Sequence, residues 1–138
     1  IGAHVVQLHG QENATLCATL KSEGITVIKA FAMHPGFDFD QLTPYEQTVD
    51  FFLFDTKGAQ PGGNATSFDW KLLRRYHQRI PFFLSGGLNK NNIQQLNEVL
   101  SMNLHALDIN SGVEVSPGLK DRNGVAAVKK WIDDLNNS

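Results

Sequence analysis

The residues best suited to chemistry in this chain stand where apolar runs end. Asp55 closes the run Phe51-Phe52-Leu53-Phe54 and is followed by Thr56-Lys57. A carboxyl group at the mouth of so apolar a segment suits a general acid; an aspartate that caps the next turn or pairs with Lys57 is the competing reading. Ser85-Gly86-Gly87-Leu88-Asn89 follows Phe82-Phe83-Leu84, and Asn110-Ser111-Gly112-Val113-Glu114 follows Ala106-Leu107-Asp108-Ile109. Glycines let backbone N–H groups approach an anion closely, and a helix start beyond them adds unpaired donors and a positive dipole end. Either loop alone reads as well as a plain tight turn; the two in succession favour a phosphate. One hydrogen-bonded anion can bridge them only if they come within about 10 Å. His9 ends Val5-Val6-Gln7-Leu8 in the same manner, with a purely structural hydrogen bond as the competing role. If Ile109 faces outward, Asp108 faces inward, where it needs partners.

Other chemistries find little support. Cys17 is the single cysteine, which excludes an internal disulfide framework and a multi-cysteine zinc site. It falls on an apolar stripe and reads as core. His4, His34, His77 and His105 show no ligand spacing, so no metal is expected. With 12 Lys and Arg against 14 Asp and Glu, the formal charge of −2 gives no reason to expect a nucleic acid or an anionic membrane as partner. No apolar run reaches the roughly 18 residues needed to span a bilayer, and no signal-peptide pattern is present, so a cytoplasmic setting is expected. At 138 residues and 41% hydrophobic, the chain has the size and composition of one globular domain.

These residues need a scaffold that gathers strand ends. The runs at 5–8, 26–30, 51–54, 82–84 and 106–109 are short and rich in β-branched or aromatic residues. Consecutive apolar positions within them suit parallel strands covered on both faces. Between them lie helix signals. Asn13 is placed to cap a helix over 14–22 that Gly24 ends, and Thr43-Pro44-Tyr45-Glu46 is a capping box with proline at the first helical position. Asp69 precedes a helical stripe of Leu72, Leu73 and Tyr76, and Asn91 or Asn92 opens another with Ile93, Leu96, Val99 and Leu100. A last helix is expected over 123–135. The low-charge stretch 60–67 reads as a mobile loop after the third strand.

Five successive β-α units mean a parallel α/β protein. A doubly wound sheet should carry a glycine fingerprint after its first strand, and Leu8-His9-Gly10-Gln11-Glu12 lacks it. A (β/α)8 TIM barrel instead puts polar residues at the C-terminal end of each strand and phosphate loops after its last two strands, which is the pattern here. Eight units need roughly 200 residues or more. The expectation is therefore a single incomplete barrel domain over 1–138, with the three N-terminal β-α units absent. Its first and last strands should be open edges, and such openings invite self-association.

The ordered set Gln7-Leu8-His9-Gly10, Phe54-Asp55-Thr56, Gly62-Gly63-Asn64, Leu84-Ser85-Gly86-Gly87-Leu88-Asn89, Asp108-Ile109-Asn110-Ser111-Gly112-Val113-Glu114 and Pro117-Gly118-Leu119-Lys120-Asp121 resembles the phosphoribosylanthranilate isomerase family, from its fourth strand to its last helix. The resemblance implies a cofactor-free Amadori rearrangement of a small phosphorylated substrate in tryptophan biosynthesis. It implies Asp55 as the general acid, His9 near the substrate, and Gly86, Gly87, Ser111 and Gly112 as phosphate loops. The family's base is a cysteine in a Lys-x-Cys-Gly motif; no such motif occurs here and Cys17 does not match it, so the chain by itself is expected to be inactive. Two other readings remain at this point. One is a different phosphate-handling barrel, such as an indole-glycerol-phosphate synthase, for which Lys29 would have to serve as the catalytic lysine. The other is a non-catalytic module that binds phosphate or self-associates.

Overall fold

The computed structural model describes residues 2, 4–56 and 70–138. Its centre is a five-stranded parallel sheet in the order β1-β2-β3-β4-β5, formed by Val5–Leu8, Thr26–Ala32, Phe51–Asp55, Phe82–Ser85 and Leu104–Asp108. Sequence neighbours pair throughout, as β-α-β crossovers in a barrel wall require. Among the described residues β1 and β5 each pair on one side only.

The strands alternate between two apolar layers. Val27, Phe52, Phe54, Phe82 and Leu84 point to the side covered by the connecting segments and join the main core with Cys17, Leu73, Ile93 and Leu96. Ile28, Ala30 and Leu53 form a smaller cluster on the opposite face, with Phe51 and Phe83 packed against it. Both faces are thus apolar, which accounts for the unbroken hydrophobic runs in the sequence.

The first connection is the α-helix α1, Ala14–Ser22, with the Asn13 side chain accepting from the Leu16 amide at 2.9 Å. It ends in a Schellman arrangement: Gly24, at φ +81°, donates to the Lys21 carbonyl, and Ile25 donates to that of Leu20. The next three connections differ from expectation, because among the described residues their helical parts are short 3-10 segments at Phe39–Tyr45, Trp70–Arg75 and Ile93–Glu98. Asp38, not Thr43, caps the first of these by accepting from the Asp40 amide at 3.0 Å, so Pro44 falls inside the segment. An aspartate upstream starts the turn where Leu42 can reach the core, and proline without an N–H then sits near its end. The expected cap Asp69, the loop 60–67 and Lys57 lie outside the described residues.

The last helix, α2, runs over Arg122–Asn136 from an Asp121 cap. Before it stands a hairpin the sequence reading did not include: β6, Glu114–Ser116, antiparallel to β7, Leu119–Lys120. Pro117 and Gly118 form its turn, with Gly118 at φ +82° as a type II turn needs at its third position.

Candidate active site

Parallel register carries three polar side chains to one place. Asp55 at the end of β3 pairs across with Ser85 at the end of β4, and Ser85 pairs with Asp108 at the end of β5. All three lie on the face of Leu53, opposite the covering layer. Leu107 and Ile109 pack into that covering layer. Asp108 therefore turns inward, and the Ser85 hydroxyl reaches its carboxylate at 3.5 Å.

These strand ends border a cavity of about 220 Å³ lined by Asp55, Gly86, Gly87, Asp108, Ser111 and Gly112, together with Ser85, Leu88 and Asn110. The cavity gathers one expected acid and both glycine loops. The loops do more than approach each other: a Cβ placed on Gly112 would lie 1.6 Å from the Leu88 carbonyl oxygen. Their separation is therefore well inside the span of a single anion. The helix-dipole part of the expectation does not hold. The elements after the two loops are 3-10 segments of six and three residues, too short to align many peptide dipoles. Any anion here would rest on the loop amides themselves.

Two glycines in succession take left-handed conformations, Gly86 at φ +85° and Gly87 at φ +68°. Side chains that the sequence reading did not assign to the site hold them. Thr56, 4% exposed, donates through its hydroxyl to the carbonyls of Ser85 at 3.0 Å and Gly86 at 2.5 Å. Asn92, read from sequence as a helix opener, makes no capping bond. Its amide instead donates to the Gly87 carbonyl at 2.6 Å, and its oxygen accepts from the Asn89 N–H at 2.9 Å. Their signal in the sequence was a threonine directly after the strand-end aspartate and an asparagine five residues beyond the second glycine. The second loop is braced by Lys120 of β7, whose ammonium contacts both oxygens of Asn110 and the Glu114 carboxylate at 2.6 Å. The Lys120 hydrogen bond holds the Glu114 carboxyl below its ordinary value of 4.5, against partial desolvation.

His9 is not among the residues lining this cavity. It is exposed beside Gln7 and borders a second cavity of about 810 Å³ with Lys29, Phe31, His34 and Tyr45. Lys29, 2% exposed, lies on the Val27 face of β2 and turns into the covering layer. There its ammonium meets the Gly10 carbonyl at 2.9 Å and the Glu12 carboxylate at 3.2 Å. It points away from the strand-end cavity and is no candidate for a catalytic lysine there. Burial pushes the Cys17 thiol up, which agrees with its reading as core. Among the described residues no cluster of three or more His, Cys, Asp or Glu is placed to hold a metal, and no helix is long and apolar enough to cross a membrane.

Comparison with known proteins agrees with this arrangement. The family profile described as N-(5'-phosphoribosyl)anthranilate (PRA) isomerase matches residues 1–130. The N-(5'-phosphoribosyl)anthranilate isomerase of Parabacteroides distasonis is 41% identical over 130 residues, covering 94% of this chain and 58% of the relative. That of Phocaeicola vulgatus is 39% identical over 134 residues, covering 97% and 64%. The chain thus spans about three-fifths of the relatives it matches. In structure it is similar to the phosphoribosyl anthranilate isomerase of Thermotoga maritima, with a TM-score of 0.73, 37% identity, and coverage of 92% of this chain and 60% of that one. It is also similar to a phosphoribosyl anthranilate isomerase in complex with reduced 1-(o-carboxyphenylamino)-1-deoxyribulose 5-phosphate, with a TM-score of 0.68, 34% identity, and coverage of 90% and 56%.

Proposed function

The chain belongs to the N-(5'-phosphoribosyl)anthranilate isomerase family, and on that footing we propose that the full-length protein converts N-(5-phosphoribosyl)anthranilate into 1-(2-carboxyphenylamino)-1-deoxyribulose 5-phosphate, a step of tryptophan biosynthesis in the cytoplasm. The observation that carries the reading is the single cavity shared by Asp55 and the two glycine loops. The substrate's phosphate sits against the amides of Gly86-Gly87 and Ser111-Gly112. That anchor sets the ribose ring at the strand ends, where Asp55 protonates the ring oxygen and the ring opens to a Schiff base. A base then removes the proton from C2, and the resulting enol-amine becomes the ketone. The base belongs to the family's Lys-x-Cys-Gly motif, which this chain does not contain. Asp108, held by Ser85, lines the same cavity, and His9 is proposed as a substrate contact only on the family resemblance, since it borders the second cavity.

The relative solved in complex with reduced 1-(o-carboxyphenylamino)-1-deoxyribulose 5-phosphate supports a small phosphorylated ligand as the class to test. A synthase-type reaction through a lysine is disfavoured because Lys29 faces the covering layer. Titrating the full-length protein with that reduced analogue tests the reading. The amide resonances of Gly86, Gly87, Ser111 and Gly112 should move together. Binding that leaves them in place would put the phosphate elsewhere.

A further inference from the structure

We infer that Thr56 and Asn92 are positioning residues that set the phosphate affinity of the first glycine loop by taking its carbonyl oxygens out of the cavity; this rests on the phosphate reading above. In a trans peptide the C=O and the following N–H point in opposite directions, and no cis bond is present among the described residues. The Gly86 carbonyl is drawn to the Thr56 hydroxyl at 2.5 Å, so the Gly87 N–H of the same peptide points away from Thr56. The Gly87 carbonyl is drawn to the Asn92 amide at 2.6 Å, so the Leu88 N–H points away from Asn92.

Gly86, Gly87 and Leu88 all line the cavity, whereas Thr56 and Asn92 do not. The two side chains therefore stand behind the loop and the two amides stand in front. Among the described residues the Gly87 and Leu88 amides donate to no protein acceptor. The one peptide that the adjacent glycines Gly86 and Gly87 share, with both at positive φ, can flip at little steric cost. A flipped peptide would present a carbonyl oxygen to the phosphate in place of a donor. The clamp is what selects the donor-forward state, and both clamping side chains are buried, at 4% and 8% exposure.

The test uses the full-length protein, with inorganic phosphate as a competitive inhibitor and the phosphoribosyl substrate for turnover. Thr56→Val keeps the shape and removes the hydroxyl; Thr56→Ser keeps the hydroxyl. Asn92→Ala asks the same question at the neighbouring carbonyl and stands in if Thr56→Val does not fold. The expected result is a rise of about fivefold or more in both KM and the phosphate inhibition constant for Thr56→Val and Asn92→Ala, the loss expected when one hydrogen bond no longer orients the loop. Turnover number should stay within about twofold, and Thr56→Ser should return both constants to wild-type values. A wild-type enzyme that phosphate does not inhibit would overturn the phosphate reading and this inference together. Phosphate-inhibited wild type with unchanged variants would overturn the clamp alone. A fall in turnover number at constant KM would also overturn it, since that is the mark of damage to Asp55 and not to the anchor.

Discussion

Gly112 lies directly against the carbonyl of Leu88: a Cβ there would fall 1.6 Å from the oxygen and 2.7 Å from its carbon. This contact joins the loops after β4 and β5, and both residues line the cavity. Gly112→Ala should force the loops apart. The expected cost is at least about 1–3 kcal/mol, as for other overpacked sites, read as a lowered unfolding midpoint. Phosphate affinity should fall with it. A variant of wild-type stability would mean that the two loops are not in contact.

The five strands and the strand-end cavity were legible because parallel barrels encode both in local pattern. Apolar runs such as Phe51-Phe52-Leu53-Phe54 are buried on both faces, and chemistry follows directly after them. What was not legible depends on contacts between distant residues. Asn92 has the same local sequence whether it caps a helix or holds the Gly87 carbonyl, and only the fold of the loop decides. Lys29 is inside a strand either way, and register alone sends it to the covering layer. The 3-10 character of the middle connections escaped pattern reading because i+3 and i+4 stripes place the same leucines and isoleucines in the core.

Lys29 joins β2 to the loop after β1, where His9 stands. Lys29→Met should remove the ammonium that bridges the Gly10 carbonyl and the Glu12 carboxylate and lower the unfolding midpoint. Denaturant unfolding of the full-length protein measures this. Turnover number should change little, because Lys29 does not face the cavity of Asp55. A stable variant with abolished turnover would instead make Lys29 part of the chemistry.

Glu12 should make stability fall in acid. Its carboxyl is held below the ordinary 4.5, first by a hydrogen bond from its own backbone amide, then by Lys29 and the Gly10 amide, with desolvation opposing. A depressed folded value means that the unfolded chain takes up the proton first. The contribution is therefore whole above 4.5 and is lost as the pH falls through the lower folded value. Glu12→Gln should flatten this part of the stability profile below 4.5. An unchanged slope would assign the acid sensitivity to other carboxylates.

Lys120 braces the second loop from the hairpin. Its side chain is 45% exposed, so Lys120→Met should leave the unfolding midpoint nearly unchanged. The Asn110-Ser111-Gly112 loop should lose its tether, and KM for the phosphorylated substrate should rise severalfold. Equal KM values in the two proteins would show that the hairpin does not serve the cavity.

Turnover of N-(5-phosphoribosyl)anthranilate by the full-length protein and by its Asp55→Asn variant is the most direct measurement. The account predicts isomerisation by the wild type and a loss of at least roughly 100-fold in turnover number for the variant, the low end for a general acid. KM should change far less, because both glycine loops remain in place. A wild type without turnover, or an Asp55→Asn variant close to wild type, would contradict the assignment of this cavity to the reaction.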